Sequence, residues 1–275
     1  MSQPLITSLS NPLVKRARAL HHKKARSESG LFLVEGIHHV GEAVEAGWEV
    51  ETVLYAPELL TSSFARELIN QLEMAQRGAS SVIPVSVQVM ESLADKENPQ
   101  GILAIVRQKQ FRFSDLRSPT VSVALVSPQD AGNVGTILRT MDAVRADALF
   151  LLDGGVEVYH PTVVRASMGA LFWKPVVQAS FREFIEWARK NNHQVIGTSA
   201  RGDVDYQTLV PQSPWVLVLG SEQKGLSKEQ MNACDVTVSL PMRGRSSSLN
   251  LAVAAGILLY QYVVAVQGKA RDGKR

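Results

Sequence analysis

The amino-acid sequence predicts an α/β protein made of two units. Short apolar runs typical of strands alternate with helix-like stretches along the 275 residues. The composition, 45% hydrophobic and 20% charged, is sufficient for a buried core and excludes disordered and fibrous classes. A polar segment that ends in Ser118-Pro119 interrupts the alternation. We therefore predict a first domain over residues 1–110, a linker over 111–119 and a second domain over 120–275.

The first unit combines four predicted strands with two predicted helices. Strands are expected at residues 31–34, 50–55, 82–85 and 101–106, and helices at residues 37–46 and 64–76. Gly47 and Gly78 supply the helix stops. The run from Gly101 to Val106 is apolar throughout, which is typical of a strand buried on both faces. This alternation predicts a small α/β domain.

The second unit continues the alternation. Strands are expected at residues 121–126, 148–152, 194–198, 215–219 and 236–240, and helices at 133–143, 161–169, 181–191 and from 249 onward. Asn133 is expected to cap the first of these helices, with Arg139 in its second turn. The order predicts a Rossmann-like, mostly parallel sheet. Ligands of such sheets bind at the carboxyl ends of strands, where this sequence concentrates glycines and polar loops.

One apolar stretch, residues 249–266, approaches the length of a membrane-spanning helix. It contains Asn250, Tyr260 and Gln261, so a buried core helix is the favoured interpretation. The N-terminal residues lack the pattern of a secretory signal. Cys234 is the single cysteine, which excludes an intramolecular disulfide and a cysteine-rich zinc site. We expect a cytoplasmic protein without a membrane partner.

The charge is distributed unevenly, although the net charge is only +3. Residues 1–27 hold six basic residues and no acidic one, whereas residues 28–110 hold five basic and twelve acidic residues. The basic residues of this N-terminal arm, residues 1–27, are Lys15, Arg16, Arg18, Lys23, Lys24 and Arg26. Such a cluster suits contacts with nucleic-acid phosphates, each of which releases counterions. A solvated helix end is the alternative interpretation.

Familiar nucleotide, metal and hydrolase motifs are absent from the sequence. No predicted strand is followed by Gly-x-Gly-x-x-Gly. The loop from Gly220 to Gly225 has the glycine spacing of a phosphate-binding loop, but Leu226 replaces the required lysine and Glu222 would repel a triphosphate. The six histidines form no metal-ligand pattern, so no metal is expected. No nucleophile elbow is present either.

Three loops at predicted strand ends carry the remaining signal. They contain Asn133-Val-Gly-Thr-Ile-Leu-Arg139, then Leu219-Gly-Ser-Glu222-Gln-Lys-Gly225-Leu, and then Leu240-Pro-Met-Arg-Gly followed by Ser248-Leu-Asn250. In this order they resemble the three signature motifs of the SpoU (TrmH-like) RNA 2′-O-ribose methyltransferases of the SPOUT superfamily. The segment Arg165-Ala-Ser-Met-Gly169-Ala also resembles that family.

The resemblance extends over nearly the whole chain. Ser8-Leu-Ser-Asn11-Pro, the basic run and Phe32-Leu-Val-Glu35-Gly36 are similar to the substrate-binding domain that one branch of the family carries. The resemblance implies a small α/β, ribosomal-protein-like domain, followed by a Rossmann-like parallel sheet. It also implies a deep trefoil knot that forms the S-adenosyl-L-methionine pocket. Knots are essentially absent from ordinary folds, so periodicity alone does not predict this one.

The family pattern also implies site residues. The cofactor-binding residues would be Thr198, Ser199, Leu219, Gly220, Leu240, Met242 and Leu249, and the catalytic residues would be Arg139, Asn133, Glu222, Ser248 and Asn250. Arg139 matches the catalytic arginine. Because a guanidinium stays protonated, we expect it to hold the target phosphate and stabilise the developing alkoxide. Glu222 as an arginine partner, and Leu240 and Leu249 as simple core residues, are alternatives.

The implied activity is S-adenosylmethionine-dependent methylation of a ribose 2′-hydroxyl in structured RNA, carried out by a homodimer. Ribosomal RNA is the expected substrate because of the N-terminal domain, and tRNA is the alternative. Two other classes remain open: a non-catalytic RNA-binding or ribosome-associated protein with this fold, and a nucleotide-binding enzyme that acts on a small molecule. Intact Arg139, Glu222 and Asn250 disfavour the first. The missing glycine fingerprints and the basic arm disfavour the second.

Overall fold

The computed structural model describes residues 4–75, 81–95, 99–200 and 202–272. These residues form two compact units. The first unit contains the described residues up to Lys109 together with Tyr159–Trp173, and the second contains Gln110–Val158 and the described residues from Lys174 onward. The segment Tyr159–Trp173 thus belongs to the first unit in space, although it interrupts the second unit in sequence.

The helices and strands are numbered here in chain order. The first half contains α1 (Pro12–Ala19), α2 (Lys23–Ser29), β1 (Leu31–Glu35), α3 (Ile37–Glu45), β2 (Val50–Tyr55), α4 (Ser63–Ala75), β3 (Ser81–Pro84), α5 (Val87–Leu93), β4 (Ile102–Arg107), β5 (Val121–Val126) and α6 (Ala131–Ala143). The second half contains β6 (Ala148–Leu152), α7 (Pro161–Ala166), α8 (Ala170–Trp173), β7 (Val176–Ala179), α9 (Phe181–Lys190), β8 (Gln194–Thr198), β9 (Val204–Asp205), β10 (Trp215–Leu219), α10 (Lys228–Ala233), β11 (Val236–Ser239) and α11 (Leu251–Asp272).

All the strands expected from sequence are present, each within one residue of its expected ends. The helices are present too, with three differences. The helix expected at residues 133–143 begins at Ala131, the helix expected at residues 161–169 ends at Ala166, and the helix expected from 249 begins at Leu251. The expected residue Gln76 and the stop at Gly78 lie outside the described residues.

The first unit is a mixed four-stranded sheet in the order β1-β4-β2-β3. Strand β4 runs antiparallel to both β1 and β2, and β3 runs parallel to β2. Strand β4 is buried along Ile102–Val106, as its unbroken apolar run predicts. One face of the sheet is covered by α1 and α5, whose apolar residues join the same core as Leu33 and Ile105.

The second unit is a seven-stranded sheet in which every strand pair is parallel, in the order β7-β6-β5-β10-β8-β11-β9. The chain starts at the central strand β5 and moves outward through β6 and β7, then returns to build the other side beyond β10. The direction of winding therefore reverses between β5 and β10. In parallel α/β sheets a ligand binds outside the carboxyl ends of the strands at such a reversal. The fold thus places the candidate site where the loops after β5 and β10 meet.

The C-terminal helix α11 packs against α6 and β10. Its Ala255, Leu258, Leu259 and Tyr262 are buried, which agrees with the core-helix interpretation of this apolar stretch. None of the helices in the described part of the chain is long and apolar enough to cross a membrane.

Candidate active site

A pocket of about 470 Å³ opens at the carboxyl ends of β8, β10 and β11. All seven residues expected to bind a cofactor line it: Thr198, Ser199, Leu219, Gly220, Leu240, Met242 and Leu249. Two of the expected catalytic residues, Glu222 and Ser248, line it as well. Its volume falls within the range of small-molecule sites. The pocket therefore brings together expected cofactor residues that follow three separate strands, and its lining includes two of the three motif loops, those after β10 and β11.

The glycine-rich loop after β10 folds back on itself rather than around a phosphate. The backbone N–H of Gly225 donates to the carbonyl oxygen of Ser221 at 2.8 Å, and Gly225 adopts a left-handed φ of 65°. A Cβ atom placed on Gly220 would lie 2.0 Å from the carbonyl carbon of Gly225. Such a contact is impossible for any side chain, so Gly220 is required by the close approach of the two backbone segments.

A chain of hydrogen bonds joins all three expected motifs. The carboxylate of Glu222 accepts from the backbone N–H groups of Gln129 and Asp130, at 3.0 and 3.2 Å, and from Asn133 Nδ2 at 3.1 Å. Asn133 Oδ1 in turn accepts from Asn250 Nδ2 at 2.9 Å. The loop after β5, the loop after β10 and the start of α11 are therefore fixed to one another by three side chains.

The pKa of Glu222 reflects this position. Partial burial by itself raises the pKa, but the hydrogen bonds from the Asn133 side chain and from the backbone N–H groups around it outweigh burial, so the pKa lies below its ordinary value. Glu222 is therefore ionised at neutral pH and acts as an acceptor. Its partners are amides, so among the described residues no arginine pairs with it.

Asn250 fixes the beginning of α11. Its Oδ1 accepts from the backbone N–H groups of Ala252 and Val253 at 2.9 and 3.2 Å. This is the bonding pattern of a helix N-cap. Asn250 thus uses its carbonyl oxygen for the helix and its amide for Asn133, and both ends of the side chain are occupied.

The expected capping role of Asn133 is wrong. The N-cap of α6 is Asp130, whose carboxylate accepts from the backbone N–H of Asn133 at 2.8 Å. Asn133 therefore lies in the first turn of α6, where its buried side chain is free to join Glu222 and Asn250. The earlier start also places Arg139 in the third turn rather than the second.

Arg139 stands apart from this hydrogen-bonded chain. It is exposed, and no ion pair or hydrogen bond joins it to any residue that the structure describes. Arg139 follows Asn133 by six residues, about one and two-thirds turns, so the two side chains leave α6 in different directions. Ser248 is also exposed, at the pocket rim.

The helical wall of the pocket was not predicted from sequence. Leu251, Ala254 and Leu258 of α11 line it at helical spacing. The signal was available, because residues three and seven positions beyond Leu251 share one helix face. Loop residues Gln223 and Lys224 also line the pocket, and no pattern distinguished them from their neighbours.

The basic residues of the N-terminal arm divide into three groups. Lys15, Lys23 and Lys24 are exposed, and so is Arg16, although it pairs with Glu51 at 2.6 Å. Arg18 is half-buried and donates to Ser92. Arg26 is only 1% exposed and donates to the carbonyl oxygens of Leu20 and His21, so its expected RNA contact is wrong in this structure. Its guanidinium instead holds the turn between α1 and α2.

No metal site accompanies the pocket: within the described ranges, no group of three or more His, Cys, Asp and Glu side chains could hold an ion.

Two protein-family models match the chain. Residues 120–260 match the SpoU rRNA Methylase family, and residues 11–104 match the MRM3-like substrate binding domain. The first match contains all three motif loops, and the second contains α1, α2 and strands β1 to β3 and ends within β4.

Several known proteins are similar over nearly the full length. A 23S rRNA (uridine(2479)-2′-O)-methyltransferase of Streptomyces viridochromogenes is 33% identical, over 94% of this chain and 91% of that protein. A 23S rRNA (guanosine(2553)-2′-O)-methyltransferase of Bacillus subtilis is 29% identical, over 93% and 97%. The crystal structure of an AdoMet-bound rRNA methyltransferase from Sinorhizobium meliloti superposes with a TM-score of 0.85 at 35% identity, covering 94% of this chain and 97% of that one.

Proposed function

Because this chain belongs to the SpoU rRNA Methylase family, we propose that it transfers a methyl group from S-adenosyl-L-methionine to a ribose 2′-hydroxyl of ribosomal RNA. The observation that carries the proposal is the pocket at the carboxyl ends of β8, β10 and β11, which all seven expected cofactor residues line. The two full-length relatives named above are 23S rRNA methyltransferases, which favours ribosomal RNA over tRNA. Such a substrate implies a cytoplasmic location.

The pocket fits the proposed methyl donor. Leu219, Leu240 and Leu249 give it apolar walls, while Thr198, Ser199 and the loop after β10 supply polar groups at its edge. This mixture suits a ligand with a flat adenine ring and a polar tail. The bound donor supplies an electrophilic methyl group, so the protein has mainly to orient the reactants and assist loss of one proton.

Arg139 is proposed to act on the RNA rather than on the donor. Its guanidinium is exposed, unpaired within the described residues and permanently charged. It would hold the phosphate beside the target ribose and stabilise the negative charge that develops on the 2′-oxygen. Glu222, Asn133 and Asn250 are proposed as positioning residues, because their contacts are with one another and with backbone. Ser248 at the rim is proposed to orient the ribose.

The test is a methyl-transfer assay with radiolabelled S-adenosyl-L-methionine, 23S rRNA and tRNA, followed by mass spectrometry of the nucleosides. We expect a 2′-O-methyl nucleoside from 23S rRNA, and a loss of at least about 100-fold for Arg139→Ala, the scale for removing one stabilising donor. Arg182→Ala, an exposed arginine of α9, is the matched control. If no methylated nucleoside exceeds the Arg139→Ala background, the protein is a non-catalytic RNA-binding protein with this fold.

We also propose that the first domain, residues 1–110, binds the RNA, with residues 120–275 as the methyltransferase domain containing the deep trefoil knot. Exposed Lys15, Arg16, Lys23 and Lys24 lie on α1 or α2, close together in sequence. Their charge is not cancelled by nearby carboxylates, apart from Arg16–Glu51 and the loose 3.9 Å pair between Lys24 and Glu28.

Changing Lys15, Arg16, Lys23 and Lys24 together to Gln is expected to weaken RNA binding and flatten its salt dependence. Each lost phosphate contact reduces the slope of log K against log salt by about 0.7–0.9. Filter binding at several salt concentrations measures both quantities. The control changes exposed Lys190 and Lys228 to Gln. An unchanged slope in the fourfold variant would remove the arm from the RNA interface.

Finally, we propose that the protein works as a homodimer in which α11 forms part of the interface. Val253, Ile257, Tyr260 and Val264 are between 38% and 63% exposed and recur at helical spacing, which makes an apolar stripe along one face of α11. The exposed Arg139 lies on α6, which packs against α11. A Cβ atom placed on Gly256 of α11 would lie 4.0 Å from Cγ2 of the neighbouring Thr140. A second copy that covers the stripe would therefore come close to Arg139. Arg139 is proposed to complete the partner's site.

A further inference from the structure

A second cavity, of about 170 Å³, lies entirely within the first unit and has no part in the proposed methyl transfer. It opens at the end of β1 and the start of α3 and is closed on one side by α7. Leu33, Leu103 and Val164 provide apolar walls, and Glu35, Asp95 and Arg165 provide charged groups. A concave apolar site with a few convergent polar groups is the usual form of a ligand pocket.

The two carboxylates of this cavity, which accept hydrogen bonds, lie beside one guanidinium, which donates them. A carboxylate oxygen of Glu35 accepts from the backbone N–H of Asp95 at 3.0 Å, and the Asp95 carboxylate pairs with Arg165 Nη1 at 2.5 Å. The Arg165 and Asp95 side chains are 40% and 45% exposed, so the pair remains accessible from the cavity mouth. The cavity thus offers carboxylate oxygens and guanidinium N–H groups within a small space.

Three histidines also line this cavity, and each is committed to the backbone. Nε2 of His21 lies 2.8 Å from the carbonyl oxygen of Leu93, and Nε2 of His38 and His39 lies 3.2 Å from the carbonyl oxygens of Met168 and Arg165. A carbonyl oxygen only accepts, so each Nε2 carries its proton and donates. The imidazoles therefore frame the cavity, and within the described residues no metal-binding group includes them.

The cavity wall is held open by a glycine. Gly36 has a φ of 97°, and a Cβ atom on it would lie 2.7 Å from Gln100 Oε1, which accepts from the backbone N–H of Ile37 at 3.0 Å. A side chain at this position would be strained and would displace Gln100. The shape of the cavity is therefore built into the backbone.

The chemistry favours one class of ligand. Two carboxylates disfavour a phosphate, and the commitment of the histidines disfavours a metal ion. A flat ring with neighbouring N–H donors suits a carboxylate, and guanine is the RNA base with two such donors side by side, at N1 and N2. An arginine pairs with guanine O6 and N7. Apolar walls suit the ring faces.

We propose that this cavity binds one unstacked guanine base of the RNA, with Glu35 or Asp95 accepting from its N1–H and N2–H groups and Arg165 donating to O6 and N7. RNA recognition commonly uses bases splayed out of the helix in this way. The inference rests on the proposed RNA methyltransferase function and adds a base-specific contact in the first unit. It predicts that the substrate contains a guanine other than the methylated nucleotide.

The test uses guanosine 5′-monophosphate as the probe, titrated into the full-length protein beside the adenosine, cytidine and uridine monophosphates. Guanosine monophosphate is expected to bind at least about tenfold more tightly than the others, within the 5- to 150-fold range of a bidentate contact. Glu35→Gln and Arg165→Lys should each reduce that preference by about fivefold or more. Arg182→Ala, in the second unit, should not change it. Thermal unfolding identifies a variant that has lost its fold, and Arg165→Lys keeps the charge opposite Asp95.

Equal affinity for all four nucleotides, or an unchanged preference in both variants, would overturn the inference. Guanine preference combined with no methyl transfer to any RNA would overturn the proposed function and leave this base site standing. Methyl transfer without guanine preference would do the reverse.

Discussion

At the scale of single residues, Glu222 decides whether the three motif loops stay together. Its carboxylate accepts from Asn133 Nδ2 and from the backbone N–H groups of Gln129 and Asp130. In Glu222→Gln an amide NH₂ group replaces one acceptor oxygen and faces N–H groups that also donate. A polar group left without its hydrogen-bond partner in this way destabilises the site by about 1–3 kcal/mol. We expect about tenfold or greater weakening of S-adenosyl-L-methionine binding in calorimetry.

The pH dependence follows from the lowered pKa of Glu222. A carboxyl group whose pKa is lower in the folded protein contributes stability above its ordinary pKa, near 4.3, and loses it as the pH falls through the lowered value. Binding of S-adenosyl-L-methionine to the wild type should therefore be constant near neutral pH and should weaken only at acidic pH. Glu222→Gln, which has no charge to lose, should lack this acid limb. An identical acid limb in both proteins would assign it to another group.

Residue roles were predictable from sequence only where a bonding pattern has a fixed spacing. Asp130 precedes Asn133 by three positions, the distance between a cap and the N–H that it accepts from, so the cap of α6 could have been found. The bond between Asn133 and Asn250 joins residues 117 positions apart, and no local pattern reports it. The burial of Arg26 likewise depends on how α1 and α2 meet.

At the scale of elements, the loop after β10 should tolerate no side chain at Gly220. The Cβ atom of Gly220→Ala would lie 2.0 Å from the Gly225 backbone, so the loop has to open and the pocket wall moves. Overpacking of this kind typically costs about 1–3 kcal/mol. We expect thermal unfolding to show a melting temperature lower by several degrees, and calorimetry to show at least about tenfold weaker binding of S-adenosyl-L-methionine.

Gly244→Ala provides the matched control for Gly220→Ala. Gly244 lies in the third motif loop, where an added Cβ meets no atom within 4 Å. Donor binding and the melting temperature should stay close to those of the wild type. If the two alanine variants behave alike, the close approach of Gly220 and Gly225 does not shape the pocket.

The elements that sequence predicted are those with unbroken apolar runs, such as β5 and β10. Those that it missed are short or polar. Helices α1 and α2 are rich in Lys and Arg, and β9 spans only Val204–Asp205. Tertiary pairing decides such elements, because two residues carry no periodicity.

At the scale of the whole molecule, sequence predicted the class of the sheet but not its order. The reversal between β5 and β10 arises from pairing between strands about 90 positions apart in the chain, and strand alternation is the same for many orders. That reversal explains why the first motif loop lies within hydrogen-bond distance of Glu222, in the loop after β10 that lines the pocket. The inclusion of Tyr159–Trp173 in the first unit could not be predicted from sequence either, because no segment with the composition of a linker separates these residues from β6.

The proposed dimer makes the last prediction. Replacing Val253 and Tyr260 with Lys places two charges in the apolar stripe of α11, on residues that are 51% and 54% exposed and so do not hold the core. Analytical ultracentrifugation should show the wild type at about twice 30.0 kDa and the variant as a monomer. The control variant changes Lys190 and Lys228, two exposed residues outside α11, to Glu and should remain a dimer.

Mixing two impaired variants, at an S-adenosyl-L-methionine concentration too low to occupy Glu222→Gln, separates an arginine that acts across the interface from one that acts within its own subunit. In a heterodimer of the two variants, the Arg139→Ala subunit keeps the hydrogen bonds of Glu222, and the Glu222→Gln subunit keeps its arginine. If Arg139 serves the partner, one complete site forms in each heterodimer, and random mixing restores about a quarter of wild-type sites. If Arg139 serves its own chain, every site lacks one component and activity stays at background. Because Arg139 leaves α6 in a different direction from Asn133, we expect restoration.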